Sequence, residues 1–443
     1  MTITRRTILV TAAAAPLAGC VSFRQQGAAS PAFVKREGTG FRHRGQPYRI
    51  VGANMWYAAW LGADAPYGDR ARLTRELDRL QALGINNLRI MASGEEGPLN
   101  NSIKPGFSRA DGSPNEALAI GLDFALAELA KRGMTAVLVL SNFWEWSGGL
   151  QTLLWRATGS YMDMGDPAHP WPAFADATAQ FYDNTKARAL YETHLERMVT
   201  RRNTVTGTLY AEDPAIFSWQ LANEPRPGGS DPAIAANSDA YYGWIADSAR
   251  RIRALDPNHM VSLGHEGTQG ANGQEAVVLR AHHDVDYLTA HIWPLNWSWV
   301  AGGNLANTWP TGERNTKAYL AAHTRLAEQS GKPLVVEEFG FPRDDEAYSP
   351  DAKTTYRQKF YRTIYDAVEA SWATGGVIAG SNFWAWNGEA RAQHPDARFV
   401  DGDRAYMGDP PHEPQGWYGN FDSDTEMLNL IRLHATKAAV API

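Results

Sequence analysis

The 443-residue sequence predicts a single α/β domain, a (β/α)8 barrel with long loops on its active face. From residue 33 onward, short apolar β-prone segments alternate with segments of helical length, and no linker-like break interrupts them. The alternation repeats eight times, which is the number of units in a closed parallel barrel. Two of the strand-like segments also end abruptly in glutamate, at the strand end where such barrels carry their functional residues.

The eight predicted strands are short apolar runs bounded by polar or turn residues. In chain order they span residues 48–53, 87–91, 135–140, 217–221, 260–263, 287–292, 334–337 and 377–384. The helices predicted to follow them span residues 70–83, 116–132, 174–199, 239–255, 267–280, 316–330, 355–373 and 424–437, the fifth being short and loop-like. Long loops after the second, third, sixth and eighth strands are expected to form the walls of the active face.

The first residues have the pattern of a targeting segment and are kept out of the fold. Arg5 and Arg6 resemble a twin-arginine export signal, and a short apolar stretch then ends in Leu17-Ala18-Gly19-Cys20, which resembles a bacterial lipobox. We therefore expect a signal peptide over 1–19, a lipidated Cys20, a tether over 20–32 and the catalytic domain over 33–443. The expected location is the periplasm or cell surface, with membrane contact only through the lipid. The alternative is an ordinary secretory peptide with a cysteine near its cleavage site by chance.

The composition restricts the classes of function. Cys20 is the only cysteine, so residues 21–443 have no disulfide, thiolate metal site or cysteine nucleophile. A net charge of −6 with no basic stripe argues against a nucleic-acid partner. The 16 tryptophans and 17 tyrosines are by default core residues, but several lie in polar loops. Because sugar rings pack their C–H faces on aromatic planes, this excess fits a carbohydrate cleft.

Two carboxylates at strand ends carry the predicted chemistry. Glu224 follows the fourth strand, and Glu338 ends the seventh strand. Paired carboxylates of this kind are what acid-assisted cleavage of a glycoside requires, whereas a lone glutamate is usually a solvated surface group. Glu337 precedes Glu338, and strand alternation sends their side chains to opposite sides, so only one can face the barrel mouth. The residues alone do not choose between them.

The segments around these glutamates resemble glycoside hydrolase family 5, and within it the β-mannanase subfamily. The resemblance rests on Trp-Gln-Leu-Ala-Asn-Glu-Pro-Arg at 219–226 and Val-Val-Glu-Glu-Phe-Gly at 335–340. Further matching segments are 89–95, 264–267, 289–294 and 381–386, and the likeness extends over about residues 38–435.

The resemblance implies a role for each matching residue. Glu224 would be the acid/base, and Glu338, directly before Phe-Gly, would be the nucleophile. The substrate-binding residues it implies are Arg89, which would hold the nucleophile's charge, Asn223 at the sugar 2-hydroxyl, Arg226 on the leaving-group side, His291 near the acid/base, and Trp384 under the sugar at subsite −1.

Two positions depart from the broad family pattern. Asn142 stands where a histidine is expected, as in mannanase-like members, and Trp293 stands where a tyrosine is expected. The indole N–H of Trp293 can donate a hydrogen bond to Glu338 but cannot accept one. Loop tryptophans of the active face are candidates for either sugar contact or loop packing: Trp56, Trp144, Trp146, Trp297 and Trp299.

We therefore expect a monomeric endo-β-1,4-mannanase that works by retaining double displacement and needs no metal or cofactor. A histidine- and aspartate-rich segment at 282–286 resembles metal ligands in composition, but it precedes the sixth strand and so belongs to the inactive end of the barrel. The alternatives are a β-1,4-glucanase, and an exo-acting β-mannosidase or mannobiohydrolase whose long loops close the distal subsites. A non-catalytic mannan-binding lipoprotein would suit the aromatic content but gives no reason to keep both carboxylates.

Overall fold

The computed structural model describes residues 33–441, in which eight parallel strands form one sheet. The strands are β1 Lys35–Glu37, β2 Gly40–His43, β3 Gln46–Tyr48, β4 Ile50–Asn54, β5 Asn87–Met91, β6 Thr135–Val139, β7 Ile216–Gln220, β8 Met260–Ser262, β9 Leu288–Ile292, β10 Leu334–Phe339, β11 Ile378–Phe383, β12 Trp386–Gly388 and β13 Asn420–Phe421. The helices are α1 Ala58–Gly62, α2 Arg70–Ala82, α3 Glu116–Lys131, α4 Gly149–Thr158, α5 Ala173–Thr178, α6 Thr185–Val199, α7 Asp231–Leu255, α8 Glu275–Ala281, α9 Leu305–Ser330, α10 Thr355–Thr374 and α11 Thr425–Val440.

The large sheet has the strand order β8-β7-β6-β5-β4-β11-β10-β9, and all its pairs are parallel. Its two edge strands approach each other, since the N–H of Asp286 before β9 donates to the carbonyl of Val261 in β8 at 2.8 Å. This nearly closed sheet with its surrounding helices confirms the predicted (β/α)8 barrel. Among the described residues, no helix has the length and apolarity needed to cross a membrane.

The amino end of the barrel is closed by β1, β2 and β3, a small antiparallel sheet that the sequence analysis did not predict. Phe41 of β2 is buried and packs edge-on against Phe217 and Tyr287, with ring centroids 5.1 and 5.5 Å apart. These aromatic rings fill the amino end of the barrel core.

Local capping explains where several helices differ from the prediction. The single helix expected over 174–199 is interrupted because the Asn184 side chain accepts from the N–H of Ala187 at 3.0 Å and so begins α6. Helix α7 begins at Asp231 rather than 239 because Ser230 caps it, with the N–H of Ala233 donating to Oγ at 3.3 Å. The loop expected over 142–172 contains α4 and a 3-10 turn at Glu145–Ser147. Helix α5 and a second 3-10 turn at Ala179–Asp183 take the place of the first part of the helix expected over 174–199.

The predicted targeting signal, lipidated cysteine and tether fall in residues 1–32, which lie outside the described residues. They stay predictions.

Candidate active site

Glu224 and Glu338 lie together at the carboxyl end of the barrel. Glu224 follows β7 and Glu338 is the penultimate residue of β10, and both line a cavity of about 560 Å³. One carboxylate oxygen of Glu224 lies within 4.8 Å of one carboxylate oxygen of Glu338, and both residues are more than nine-tenths buried. The sequence therefore predicted their proximity correctly.

A β-bulge changes the expected direction of Glu337. Strand β10 pairs Val336 with Ala290 and Glu338 with His291 of β9, so the register shifts across Glu337. The extra residue cancels the alternation, and the side chains of Glu337 and Glu338 both reach His291 and Arg89. The prediction of opposite sides is wrong for this reason, although only Glu338 lines the cavity.

Arg89 from β5 is buried beneath the cavity and binds the side chains around Glu338. Its guanidinium pairs directly with Glu338, donates from Nη2 to Asn223 Oδ1 at 2.7 Å and from Nε to Gln220 Oε1 at 2.7 Å. It also donates to Asn54 Oδ1 at 3.2 Å. Because a fixed guanidinium fork uses all of these donors at once, the position of the nucleophile candidate is rigidly determined.

Asn223 and Asn142 continue the hydrogen-bond network that begins at Arg89. The amide of Asn223 donates to Asn142 Oδ1 at 3.1 Å, and the Asn142 amide donates to Ser147 Oγ at 3.0 Å. Asn223 lines the cavity, whereas Asn142 is fully buried beneath it. Asn142 therefore orients Asn223 and does not reach a ligand in the cavity.

His291 of β9 connects the two catalytic candidates. Its Nδ1 lies 2.6 Å from Glu224 Oε1 and 3.3 Å from Glu338 Oε2, and the ring is fully buried. Burial opposes a charge on this ring, but Glu338, Glu224 and Glu337 outweigh it and raise the pKa of His291 to about 10. The surrounding carboxylates therefore favour the charged form of the ring.

Trp144 provides a second donor to Glu224. Its indole N–H donates to Glu224 Oε2 at 2.5 Å. Glu224 itself has φ +47°, a left-handed conformation that costs a non-glycine residue on the order of 1 kcal/mol or more. Its backbone N–H donates to the carbonyl of Gly264 at 2.8 Å and helps to hold that conformation. Strain of this kind fixes the direction of a carboxylate.

Comparison with known proteins identifies the family. The description "GH family 5 beta-mannosidase-like" matches residues 31–441, nearly the whole chain. The chain belongs to glycoside hydrolase family 5.

Relatives of this hydrolase align with most of its length. A glycoside hydrolase family 5 mannosidase from Rhizomucor miehei is 34% identical with a TM-score of 0.83, covering 93% of this chain and 99% of that one. "Putative mannan endo-1,4-beta-mannosidase 9" of Oryza sativa subsp. japonica is 30% identical over 80% of this chain and 81% of its own. "Mannan endo-1,4-beta-mannosidase 1" of Arabidopsis thaliana is 29% identical over the same shares.

Two tryptophans of the family 5 enzyme form one wall of the cavity. Trp384 and Trp293 both line it, with ring centroids 5.7 Å apart. Within residues 33–441, no hydrogen bond joins Trp293 to Glu338, so the predicted donation is not made. The Trp293 ring instead lies over Gly340, where an added Cβ would come within 2.3 Å of it. The glycine that follows Glu338-Phe339 is therefore required by this close approach.

Another part of the cavity lining contains Arg226, a cation that lies over two tryptophan rings. The Arg226 guanidinium lies 4.9 Å from the ring of Trp144 and 5.4 Å from that of Trp171, and its Nε donates to Glu266 Oε1 at 2.6 Å. Burial, partly offset by Arg226, raises the pKa of Glu266 to about 7. Trp171 is 56% exposed although it lines the cavity, which is unusual for a large aromatic residue. Trp171 was not among the predicted site residues, although its place in a polar, proline-rich segment was an available signal.

The predicted substrate-binding residues of the hydrolase divide into two groups. Asn223, Arg226, Trp293 and Trp384 line the cavity. Four others do not line it and are almost fully buried behind it: Trp56, Arg89, Asn142 and His291.

Trp56 is the clearest correction. It is 3% exposed, its indole N–H donates to the carbonyl of Gly408 at 3.0 Å, and it packs among Tyr57, Trp60 and Trp146. This geometry corresponds to loop packing, because the aromatic cluster above β4 covers the ring. Of the other loop tryptophans, Trp144, Trp146 and Trp297 line the cavity.

Two further carboxylates at the cavity had not been singled out. Burial raises the pKa of Glu145 to about 7, although Glu145 accepts a hydrogen bond from the N–H of Met164. Burial and the negative charges of Asp409, Glu338 and Glu224 raise the pKa of Glu413 well above its usual value. Both residues lie in long loops. The path of such a loop cannot be predicted from the periodicity of strands or helices, so the position of these two side chains was not predicted.

Proposed function

We propose that this enzyme hydrolyses internal β-1,4-mannosidic linkages of mannan, galactomannan or glucomannan with retention of configuration. The observation that carries the proposal is the separation of the carboxylate oxygens of Glu224 and Glu338, which is within 4.8 Å. Retaining glycosidases hold their carboxyl groups about 5–5.5 Å apart, whereas inverting enzymes need about 6.5–9.5 Å to admit a water molecule.

The residues then have distinct roles in two steps. In the first, a Glu338 oxygen bonds to the anomeric carbon, the glycosidic C–O bond breaks, and the proton of Glu224 passes to the leaving oxygen. In the second, Glu224 takes a proton from water, whose oxygen displaces Glu338 from the anomeric carbon. Arg89 holds Glu338 in position throughout, and Asn223 is available to the sugar 2-hydroxyl.

Both steps depend on one proton that the two glutamates share. Burial opposes the charge of Glu224, but His291, Arg226 and Trp144 outweigh burial and hold the pKa of Glu224 below its usual value. Burial, with repulsion from Glu224 and Glu337, raises the pKa of Glu338 despite His291 and Arg89. Because the two buried carboxylates lie within 4.8 Å of each other, they titrate as a pair that shares this proton. A shift of the His291 hydrogen bond from Glu224 to Glu338 would transfer it to the acid/base.

Several observations support mannan as the substrate. The rice and Arabidopsis relatives are named as mannan endo-1,4-β-mannosidases, and the family description names β-mannosidase-like proteins. Arg226, Trp144 and Trp171 form a polar and aromatic surface beside Glu224, on the side where a leaving sugar would lie. Action on β-1,4-glucan is the outcome that would contradict this choice, because the two sugars differ at a single hydroxyl.

Exo-action is a second candidate, favoured by a specific observation. The Rhizomucor relative with the TM-score of 0.83 is named a mannosidase. In addition, the cavity lining includes Pro410, His412 and Glu413 from the long loop between β12 and β13. An exo-acting enzyme requires a wall beyond its terminal subsite.

Product analysis over time on linear β-1,4-mannan and on reduced mannohexaose separates the two, with β-1,4-glucan as the control substrate. We expect a spread of oligosaccharides at early times. Mannose or mannobiose alone from the start would establish exo-action, and release from glucan alone would overturn the mannan assignment. Proton NMR of the first product reports its anomer, and an initial α-anomer would contradict retention.

We further propose that the enzyme is exported as a monomer and anchored to a membrane by lipid at Cys20. The support is the twin-arginine and lipobox pattern of residues 4–20. Labelled fatty acid should be incorporated into the wild-type protein in bacterial cells and not into Cys20→Ser, which should appear in the soluble fraction. Equal labelling of both would refute the anchor, and light scattering of the soluble domain tests the monomer.

A further inference from the structure

Glu337 is a third carboxylate at this site, and the proposed reaction does not use it. It is fully buried, and the amide of Gln220 donates to both of its oxygens at 2.8 Å. Its Oε2 also lies 3.6 Å from His291 Nε2 and 3.9 Å from Arg89 Nε. Burying a negative charge costs free energy unless neighbouring cations and hydrogen-bond donors compensate it. The neighbours of Glu337 therefore indicate its role.

The two nitrogens of His291 face different carboxylates. Nδ1 lies 2.6 Å from Glu224 Oε1, and a carboxylate oxygen offers only lone pairs, so Nδ1 carries a proton. Nε2 is buried, and within residues 33–441 it has no hydrogen-bond partner. In a neutral ring its lone pair would point into the negative field of Glu337. Protonation of Nε2 converts that repulsion into an ion pair.

We propose that Glu337 is a positioning residue that keeps His291 in its doubly protonated, positively charged form, and that this cation sets which of Glu224 and Glu338 holds the catalytic proton. The inference rests on the proposed function for its second part only. The raised pKa of His291, for which Glu337 is one of the causes, agrees with it.

The charges of the whole cluster give the direction of the effect. The titratable and charged groups around His291 are Glu224, Glu337, Glu338, Arg89, His265 and Glu266. In the central group, Arg89 and His291 offset two of the three carboxylates, Glu224, Glu337 and Glu338. The remaining negative charge favours one additional proton, which is the proton that Glu224 must donate. Without the charge of Glu337, and at pH values where His291 is still protonated, the two cations already balance Glu224 and Glu338, so both His291 and Glu224 lose their protons at lower pH.

The test replaces Glu337 with Gln, which keeps the shape and one acceptor for Gln220, and with Asp, which keeps the charge. In Glu337→Gln, both limbs of the pH profile of kcat/KM on mannohexaose should move to lower pH by about one unit or more. Glu337→Asp should keep both limbs near their wild-type positions even if its maximal rate falls. A purely structural role would lower the height of the profile in both variants without moving its limbs.

Nitrogen NMR of histidine-labelled protein gives a readout that needs no activity. At about pH 8, above the ordinary pKa of histidine, His291 should be an imidazolium in the wild type and neutral in Glu337→Gln. The signal is assigned by its loss in His291→Gln, and thermal melting checks that each variant is folded. A neutral His291 in the wild type, or an imidazolium that persists in Glu337→Gln, would overturn the proposal, and unmoved limbs in Glu337→Gln would overturn its second part. A wild-type enzyme that cleaves no mannan but shows the imidazolium would contradict the proposed function and leave the state of His291 established.

Discussion

The hydrogen bond from Trp144 to Glu224 allows a prediction with a defined sign and size. Trp144→Phe keeps an aromatic ring beside Arg226 but removes the N–H that lies 2.5 Å from Glu224 Oε2. This N–H stabilises the ionised form of Glu224, so its loss should raise the pKa of that carboxyl. A hydrogen bond to a charged group contributes about 1.5–3 kcal/mol. At about 1.4 kcal/mol per pKa unit, this corresponds to about 1–2 units.

The assay is the pH dependence of kcat/KM on a manno-oligosaccharide, whose poor leaving group makes the acid indispensable. Because Glu224 shares its proton with Glu338, we expect the alkaline limb to move to higher pH by about one unit, a part of the full shift. The sign is opposite to that expected for Glu337→Gln. Trp56→Phe is the matched control, since it also loses an indole hydrogen bond, to Gly408, but lies outside the cavity. An unmoved or lowered limb in Trp144→Phe would refute the reasoning.

Three further predictions concern other parts of the molecule. Glu338→Ala should lower kcat by several orders of magnitude while the variant still binds mannohexaose in calorimetry; binding and turnover equal to the wild type would remove Glu338 from the reaction. Trp171→Ala removes an exposed ring that stacks beside Arg226, so KM for mannohexaose should rise about two- to tenfold while kinetics on an aryl mannoside stay near wild type. Asp424→Ala leaves the fully buried Arg343 without its paired carboxylate, which lies 2.6 Å away, and should destabilise the fold by about 3–5 kcal/mol in urea unfolding without moving the limbs of the pH profile. Equal unfolding midpoints would contradict that estimate.

Much of the site could be predicted because it depends on local patterns. A buried strand shows as an apolar run, and the residue that follows it must lie at the end of the barrel. Glu224 and Glu338 are both such residues, as are Asn223 and Trp384, and all four line the cavity. Helix boundaries were wrong mainly where a single cap, such as Ser230, had been overlooked.

Contacts that depend on the path of a loop could not be predicted from local sequence patterns. Trp56 and Trp144 both stand in loops after strands, yet one packs under an aromatic cluster and the other donates to Glu224. Trp171 reaches Arg226 only because α4 and α5 fold its segment back over the cavity. A loop's path is determined by packing against distant segments, and no short-range periodicity records it.

The sequence by itself determined the barrel, the two strand-end carboxylates and the family, because periodicity and short motifs are local properties of the chain. Only the tertiary structure decided the charge arrangement beneath them. A one-residue bulge turns Glu337 inward, so that His291 lies among three buried carboxylates and Arg89 pairs with two of them. Electrostatic interactions depend on distance and burial across strands far apart in the chain, and these exist only once the barrel has closed.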